Sequence, residues 1–405
     1  MSDIAIPFCK KKNEDWNIAY NQVNIVITDT IECIKYPWSN LAGNNAFFSV
    51  SYLSALEKNP AEGIVPFYVL IQKDEETIGI AYFQWKNFKL NENIRENGPI
   101  DSSIIQKVKR NVINVVNFPA LVCGNLLLTG SYGFTFLDNI SDKEQWRYLE
   151  KTIEELTLYL SSKGKPVGLV LVKDFISSHK KDISSNSFVE FKVQPTMMMD
   201  IQNDWSKFED YKEALKSKYR VRYRKAKKDL EPIDKIEFTA EDIAQHKETI
   251  YNLYLNVSNQ AEFNSFLLHE HYFESVKESM GDQFTFLTYW KNNKMIGFSS
   301  TLQNGDYLHA HFLGYEKEAN KHCQLYLNML YDIVDQAIQH QLTHIDFSRT
   351  AIEIKSTVGA KDVPLYLYMK HMNPLWHNLI KPILKLVAPK TDHTIRHPFK
   401  DELDH

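Results

Sequence analysis

In the run DYLHAHFL, His309 and His311 alternate along what reads as a strand, so both imidazoles project from one face together with Tyr307 and Leu313. An imidazole titrates near neutral pH, so either could take a proton from a nucleophile. The plain alternative is a pair of histidines filling a half-polar sheet face. Further on, HIDFSRT closes an apolar run with Asp346, Ser348 and Arg349, at the kind of strand end where α/β folds place ligands. The Ser348 hydroxyl could donate to a developing oxyanion or protonate a leaving group, or simply close the strand. Lys355, just before the flexible stretch Thr357-Val358-Gly359-Ala360, offers a point charge to an anion; a solvated surface lysine is the ordinary alternative.

Two other sets of residues suit an anion. Lys218, Arg220, Arg222, Arg224 and Lys227 form a basic ridge dense enough to hold a phosphate-bearing partner, although Glu209, Asp210, Glu213 and Asp229 lie close in sequence and neutralise part of it. In LTGSYGF, Gly130 and Gly133 allow close backbone approach and could cradle an anion, or could serve only a turn with positive φ. No metal site is expected: the histidines of HEH at 269–271 would point to diverging faces of a helix, and no Cys-x-x-Cys pair occurs.

These residues need a scaffold, and the sequence writes one twice. PFYVLIQ, a polar turn around KDEE and TIGIAYFQW read as an antiparallel hairpin, as do FTFLTYW, a turn around KNNK and MIGFSSTLQ. Val69 aligns with Leu287, Lys73 with Lys291, Ile78 with Ile296 and Gly79 with Gly297 at one constant offset. An amphipathic helix precedes each hairpin, FFSVSYLSALEKN and HEHYFESVKESM. A strand, a helix and a further strand follow each: PALVCGNLLL, DKEQWRYLEKTIEELTLYLSSKG and PVGLVLV in the first half; DYLHAHFL, QLYLNMLYDIVDQAIQHQ and THIDFS in the second. The pattern predicts a duplicated α/β unit with domains at 1–200 and 201–373, followed by a C-terminal amphipathic helix and tail at 374–405. Between the halves, Leu215, Tyr219, Tyr223, Ala226 and Leu230 form an apolar stripe, with Lys216, Arg220, Arg224 and Lys228 also at helical spacing, so a basic amphipathic helix opens the second half and ends near Pro232.

Composition bounds what such a molecule does. At 405 residues the chain is long for a single core, and 43% hydrophobic with 24% charged residues is ordinary for a folded chain. A formal charge of −4 argues against a surface that grips nucleic acid throughout. Cys9, Cys33, Cys123 and Cys323 lie far apart and read as reduced thiols. With no secretion-signal pattern and no bilayer-length apolar run, a cytoplasmic location is expected. NPLWHNLIKPILKLVAPK mixes Trp376, Leu379, Ile380, Ile383 and Leu384 with Lys381 and Lys385, which suits peripheral contact with a membrane or docking on the protein's own body.

Over roughly residues 40–372 the order of elements resembles the Fem-type branch of the GNAT acyltransferases, in particular the bacterial group of N-acyltransferases of peptidoglycan biosynthesis or recognition. KSKYRVRYRKAKKD is similar to the basic helix opening the second half in that family, and HAHFLGYE, QLYLNMLYDIVDQAIQHQ and IEIKSTVGAKD hold comparable places. Glu353, Lys355 and Gly359 match, whereas Ile354 stands where the family has histidine. The resemblance implies a tandem duplicated GNAT-like (acyl-CoA N-acyltransferase) α/β fold, two mixed sheets flanked by helices. It implies transfer of an acyl or aminoacyl group onto an amine; the residues read above then place His309, His311, Ser348 and Lys355 on the catalytic side and Arg220, Arg222, Arg224, Gly359, Gly130 and Gly133 on the donor side. The loop GYEKEANKHC lacks the Gly-rich pyrophosphate run of ordinary GNAT enzymes. That absence counts against a standard acetyl-CoA site in the second half; the expected cosubstrate is acyl-CoA or another activated acyl donor, with no permanently bound cofactor. A small molecule or envelope precursor is expected as acceptor, and of nucleic acids only an aminoacyl-tRNA donor stays open. The competing readings are a catalytically silent module binding a cell-envelope precursor or carbohydrate, and an RNA-binding protein using the basic ridge.

Overall fold

The computed structural model describes residues 16–20, 23–89, 117–183, 187–231, 233–260, 266–378 and 393–400. The first half runs β1 (Trp16–Tyr20), β2 (Val23–Thr28), α1 (Lys35–Ala42), α2 (Val50–Lys58), β3 (Ile64–Lys73), β4 (Glu76–Lys89) and β5 (Asn117–Cys123). It continues with β6 (Phe134–Phe136), α3 (Asp142–Ser162), β7 (Leu169–Phe175) and β8 (Val189–Asp200). The second half runs α4 (Phe208–Ala214), α5 (Ser217–Leu230), β9 (Asp234–Glu237), α6 (Ala240–Gln245), α7 (Lys247–Ser258) and α8 (Tyr272–Met280). It ends with β10 (Phe284–Lys291), β11 (Lys294–Asn304), β12 (Tyr307–Tyr315), α9 (Lys317–Cys323), α10 (Leu325–Gln339), β13 (His344–Asp346), α11 (Ile352–Ser356) and β14 (Lys361–His371).

The expected hairpins form at the expected offset. Asp74 and Glu75 take φ of 48° and 68°, and Asn292 and Asn293 take 51° and 60°; two successive left-handed residues are what a two-residue hairpin turn matched to strand twist demands. In each half the third sheet strand then pairs in parallel with the strand beyond the long helix: Ala120↔Leu169 through Cys123↔Val172, and Tyr307↔His344 through His309↔Asp346. The connecting helices are α3, begun by a Ser141/Glu144 capping box, and the strongly apolar α10.

The two expected sheets are one. The strand order is β1-β2-β3-β4-β5-β7-β14-β8-β13-β12-β11-β10-β9, with β6 on the side of β4. The last strand of each half has crossed to the other: β14 lies antiparallel on β7, β8 lies antiparallel on β13, and β8 and β14 pair with each other from Val189↔Met369 to Met198↔Lys361. A parallel pair leaves its outer edge with unmet amides and carbonyls, and the exchange caps both edges.

Besides a small cluster of Leu230, Ile233, Tyr289, Ile296, Cys323, Leu325 and Met329, three larger apolar cores sit on this sheet. One, holding Phe47, Tyr52 and Tyr82 of the first half with Tyr272, Phe273 and Phe298 of the second, fills the space between the halves. The others lie under α3 and under α4, α5 and α10. Of the C-terminal segment, Leu375 and Trp376 are exposed; Leu379, Ile380, Lys381, Ile383, Leu384 and Lys385 lie outside the described residues, as does Cys9. No helix among the described residues is long and apolar enough to cross a membrane. Cys123 and Cys323 are buried free thiols.

Candidate functional site

Both parallel pairs end at the seam between the halves, and both end in a left-handed residue. Asp174, the next-to-last residue of β7, has φ of 70° and Ser348, two residues past β13, has φ of 63°; Thr350 and Ala351 follow at 66° and 49°. Each left-handed non-glycine residue costs roughly 1–2 kcal/mol, so this turn persists only because its surroundings hold it. The Met197 amide donates to the Ser348 carbonyl at 3.2 Å. The Ser348 amide donates to Asp346 Oδ1 at 2.8 Å and its hydroxyl to Thr129 Oγ1 at 2.9 Å. Lys355 Nζ donates to the carbonyls of Ser348 at 3.1 Å and Arg349 at 2.5 Å. The Arg349 guanidinium crosses the seam to pair with buried Asp174.

Asp174 anchors the first-half side. Lys173 Nζ lies 2.7 Å from its Oδ2 and donates to the carbonyls of Asn125 and Leu128 at 2.8 and 2.5 Å. Burial, and then the Arg349 charge, draw the Lys173 proton affinity down; three oxygens around Nζ are nevertheless the set an ammonium needs, and we read it as charged. Gly124, at φ 125°, makes room for this lysine, since a Cβ there would stand 2.7 Å from its side chain. The Gly130 amide points at Asp174 Oδ2, 3.4 Å away, so the protein's own carboxylate sits where an anion was expected. Gly133 serves packing, because a Cβ would meet Cys123 Sγ at 2.9 Å.

Asp346 organises the second-half side. Thr196 Oγ1 donates to its Oδ1 at 2.6 Å, and His309 Nδ1 stands 3.6 Å from its Oδ2. Burial alone would raise the Asp346 carboxyl, but His309, the Thr196 hydroxyl and the Ser348 amide together hold it below the usual range. His309 Nε2 is buried without a hydrogen-bond partner, beside the rings of Phe47 and Tyr132. Burial pushes Lys355 down to about 7, with Asp346 opposing, so its ammonium and amine forms coexist near neutral pH.

The other expected site residues lie elsewhere. His311 shares the core between the halves with His309 but stacks on Tyr272, whose hydroxyl is 2.9 Å from Nε2 and 3.4 Å from the Tyr52 hydroxyl. Burial, then the His309 charge, lowers it to about 3, so it stays neutral and is a poor proton acceptor at pH 7. Of the ridge arginines, Arg220 Nη1 donates to the Leu215 carbonyl at 2.6 Å and Arg224 Nε to the Arg220 carbonyl at 3.4 Å. Arg222 alone of the three lines a cleft of about 450 Å³, with Gln194, Ala351, Ile352, Glu353, Ile354, Thr357 and His393. Gly359, at φ 109°, packs under Phe399, which a Cβ would meet at 2.4 Å. Glu353 pairs with Arg396 at the surface.

Sequence reading missed Asp174, Lys173, Thr129 and Thr196. For the first two a signal existed: LVLVKDF closes an apolar strand with two opposite charges, as HIDFSRT does in the second half. Thr129 and Thr196 reach the site only through the seam and the exchanged strand β8. As for metals, Asp142, His179 and Asp182 form the one group of three among the described residues whose ligand atoms lie within 4.8 Å of one another. This group lies on the first half, and none of its members bonds to a residue of the seam cluster.

A family profile described as FemAB-like, peptidoglycan biosynthesis/recognition, matches residues 30–397. No curated protein sequence matches. Among solved structures, FemX is 11% identical and covers 84% of this chain and 93% of its own, with a TM-score of 0.49. A tandem GNAT protein from the clavulanic acid biosynthesis pathway is 7% identical, covering 87% and 99%, with a TM-score of 0.47. L-PGS from Bacillus licheniformis is 10% identical, covering 83% and 95%, with a TM-score of 0.44.

Proposed function

We propose, from the premise that the chain belongs to the FemAB-like family, that it transfers an acyl or aminoacyl group from an activated donor to an amine on a cell-envelope precursor. In this reading the reaction runs in the cytoplasm at the seam. The observation that carries it is the meeting of His309, Asp346, Ser348, Arg349 and Lys355 with Asp174 and Thr129 across the halves, beside the cleft lined by Arg222. The substrate ammonium loses a proton and its nitrogen adds to the donor carbonyl carbon. The C–N bond forms, the C–O or C–S bond to the carrier breaks, the nitrogen's second proton leaves with the carrier, and the first passes from the base to solvent.

His309 is the base in this scheme. Asp346 steadies one face of the ring and Nε2 is left for the amine, reached once the Phe47 and Tyr132 rings move aside. Ser348 donates to the oxygen that gains charge once its hydroxyl turns away from Thr129. Lys355 is a positioning residue that pins the left-handed turn through two carbonyls. Arg222 receives the anionic part of donor or precursor. The exposed Leu375 and Trp376 suit contact with a membrane that carries such a precursor.

The test is transfer itself. Purified protein is offered acyl-CoA, acyl-carrier-protein and aminoacyl-tRNA donors with amine-bearing envelope precursors, and the acceptor mass is read by mass spectrometry. A mass gain equal to the acyl group with one of these donors is the expected result; none with any donor overturns the proposal. A second reading, a silent module that binds a precursor, draws on two observations: the Gly130 amide already faces Asp174, and His309 Nε2 is closed off. Precursor binding without turnover would favour it.

A further inference from the structure

On the second half, sharing no residue with the seam cluster, α7 and the β10–β11 hairpin enclose a second cleft, of about 380 Å³. Its helix wall is a row at helical spacing: His246, Thr249, Asn252, Leu253 and Asn256. The hairpin supplies Trp290, Asn293 and Met295. Leu253 and Met295 are buried at 4% and 3% exposure and form an apolar floor, whereas Thr249, Asn252, Asn256 and Asn293 are exposed around it.

The polar atoms sort this cleft by ligand class. The Trp290 indole Nε1 donates to Thr288 Oγ1 at 2.9 Å, so what the ring offers the cleft is hydrocarbon. His246 stands perpendicular to it at 5.6 Å, with Nδ1 3.0 Å from the Asp242 carbonyl, which fixes both rings. The charged pair on the rim, Lys294 and Glu316, is closed on itself at 2.5 Å. An anion would have to break that pair, and an apolar peptide would leave the side-chain amides of Asn252 and Asn293 unmet; Asn256 Nδ2 already donates to the Tyr315 carbonyl at 3.5 Å, which leaves its Oδ1 to the cleft. A ligand with one C–H face for the indole and a rim of hydroxyls or amides for Asn252, Asn256, Asn293 and Thr249 meets every group, in a volume ordinary for a small-molecule site.

We infer that this cleft binds a pyranose ring of a glycan, with Trp290 as its platform and Asn252 and Asn256 as its hydrogen-bonding edge. The inference stands apart from the transfer reading, because no residue of the seam takes part.

The full chain is titrated with chitotetraose and, separately, cellotetraose, followed by tryptophan fluorescence and calorimetry. Saturable binding of either is expected, and the one preferred tells whether N-acetyl groups are read. Asn252→Ala with Asn256→Ala changes exposed helix positions to a better helix former, so the fold survives; affinity should fall about tenfold or more, as the loss of two hydrogen bonds implies. Trp290→Phe should keep measurable binding and Trp290→Ala abolish it, with circular dichroism confirming the fold. No saturable binding of either sugar by the unaltered chain, or affinity untouched by the double alanine variant, overturns the inference.

Discussion

Lys355 carries the sharpest consequence among single residues. Its folded value of about 7 lies below its ordinary 10.5, so between those pH values the unfolded chain binds a proton that the folded chain does not. Stability therefore rises with pH across that window and is lost as pH falls toward 7. Lys355→Met removes this contribution: urea titrations should find the advantage of the unaltered chain over the variant growing from pH 7 to pH 10, and a constant difference would refute the assignment. Because Lys355 pins the Ser348 and Arg349 carbonyls, amide exchange across 348–357 should also quicken in the variant. Asp174 is the converse case. Asp174→Asn leaves Arg349 and Lys173 short of a buried counter-charge and should cost about 3–5 kcal/mol by denaturant unfolding; a loss below about 1 kcal/mol would show that the pair is dispensable. At this scale the sequence identified types rather than roles. His309 and His311 are indistinguishable by alternation, and only Asp346 beside one and Tyr272 on the other separate a candidate base from a neutral core imidazole.

Local elements were the most legible, because their causes are local. Apolar and aromatic runs broken by Asp74-Glu75 and Asn292-Asn293 sufficed for both hairpins, and helical periodicity with Ser141 as cap sufficed for α3. The basic helix appeared as α5, yet which of its arginines would face a cleft depended on how it packs, and it is Arg222 that lines the one beside Ala351 and Glu353. Packing between elements was equally hidden. Gly314 lets α7 lie directly on β12, for a Cβ there would stand 2.5 Å from the Leu253 carbonyl carbon and 2.6 Å from the Tyr254 amide nitrogen. Backbone cannot swing aside as a side chain can, so Gly314→Ala should cost about 1–3 kcal/mol or more in a urea melt; unchanged stability would mean that the helix floats free of the strand.

The whole molecule is where sequence reading fell shortest. Repeat order pointed to two units, but nothing in VEFKVQPTMMMD or KDVPLYLYMKH says which half each will join. The exchange of β8 and β14 is settled by distant edges needing partners, and it turns two expected sheets into one. The exchange has a mechanical consequence: neither half can lose its core without stripping the other of a strand. Leu149→Ala on the buried face of α3 and Leu330→Ala on that of α10 should each cost about 2–5 kcal/mol, and each should lower a single calorimetric transition. Two transitions moving separately would mean that the halves are independent.

The seam made by that exchange is also where the proposed chemistry rests, on His309 above all. With any donor and amine acceptor found to react, the decisive measurement is the transfer rate of the His309→Ala protein beside the unaltered chain, with donor affinity measured in parallel. Loss of a general base predicts a fall of about 100-fold or more with donor affinity nearly unchanged; undiminished transfer by the variant would contradict the account.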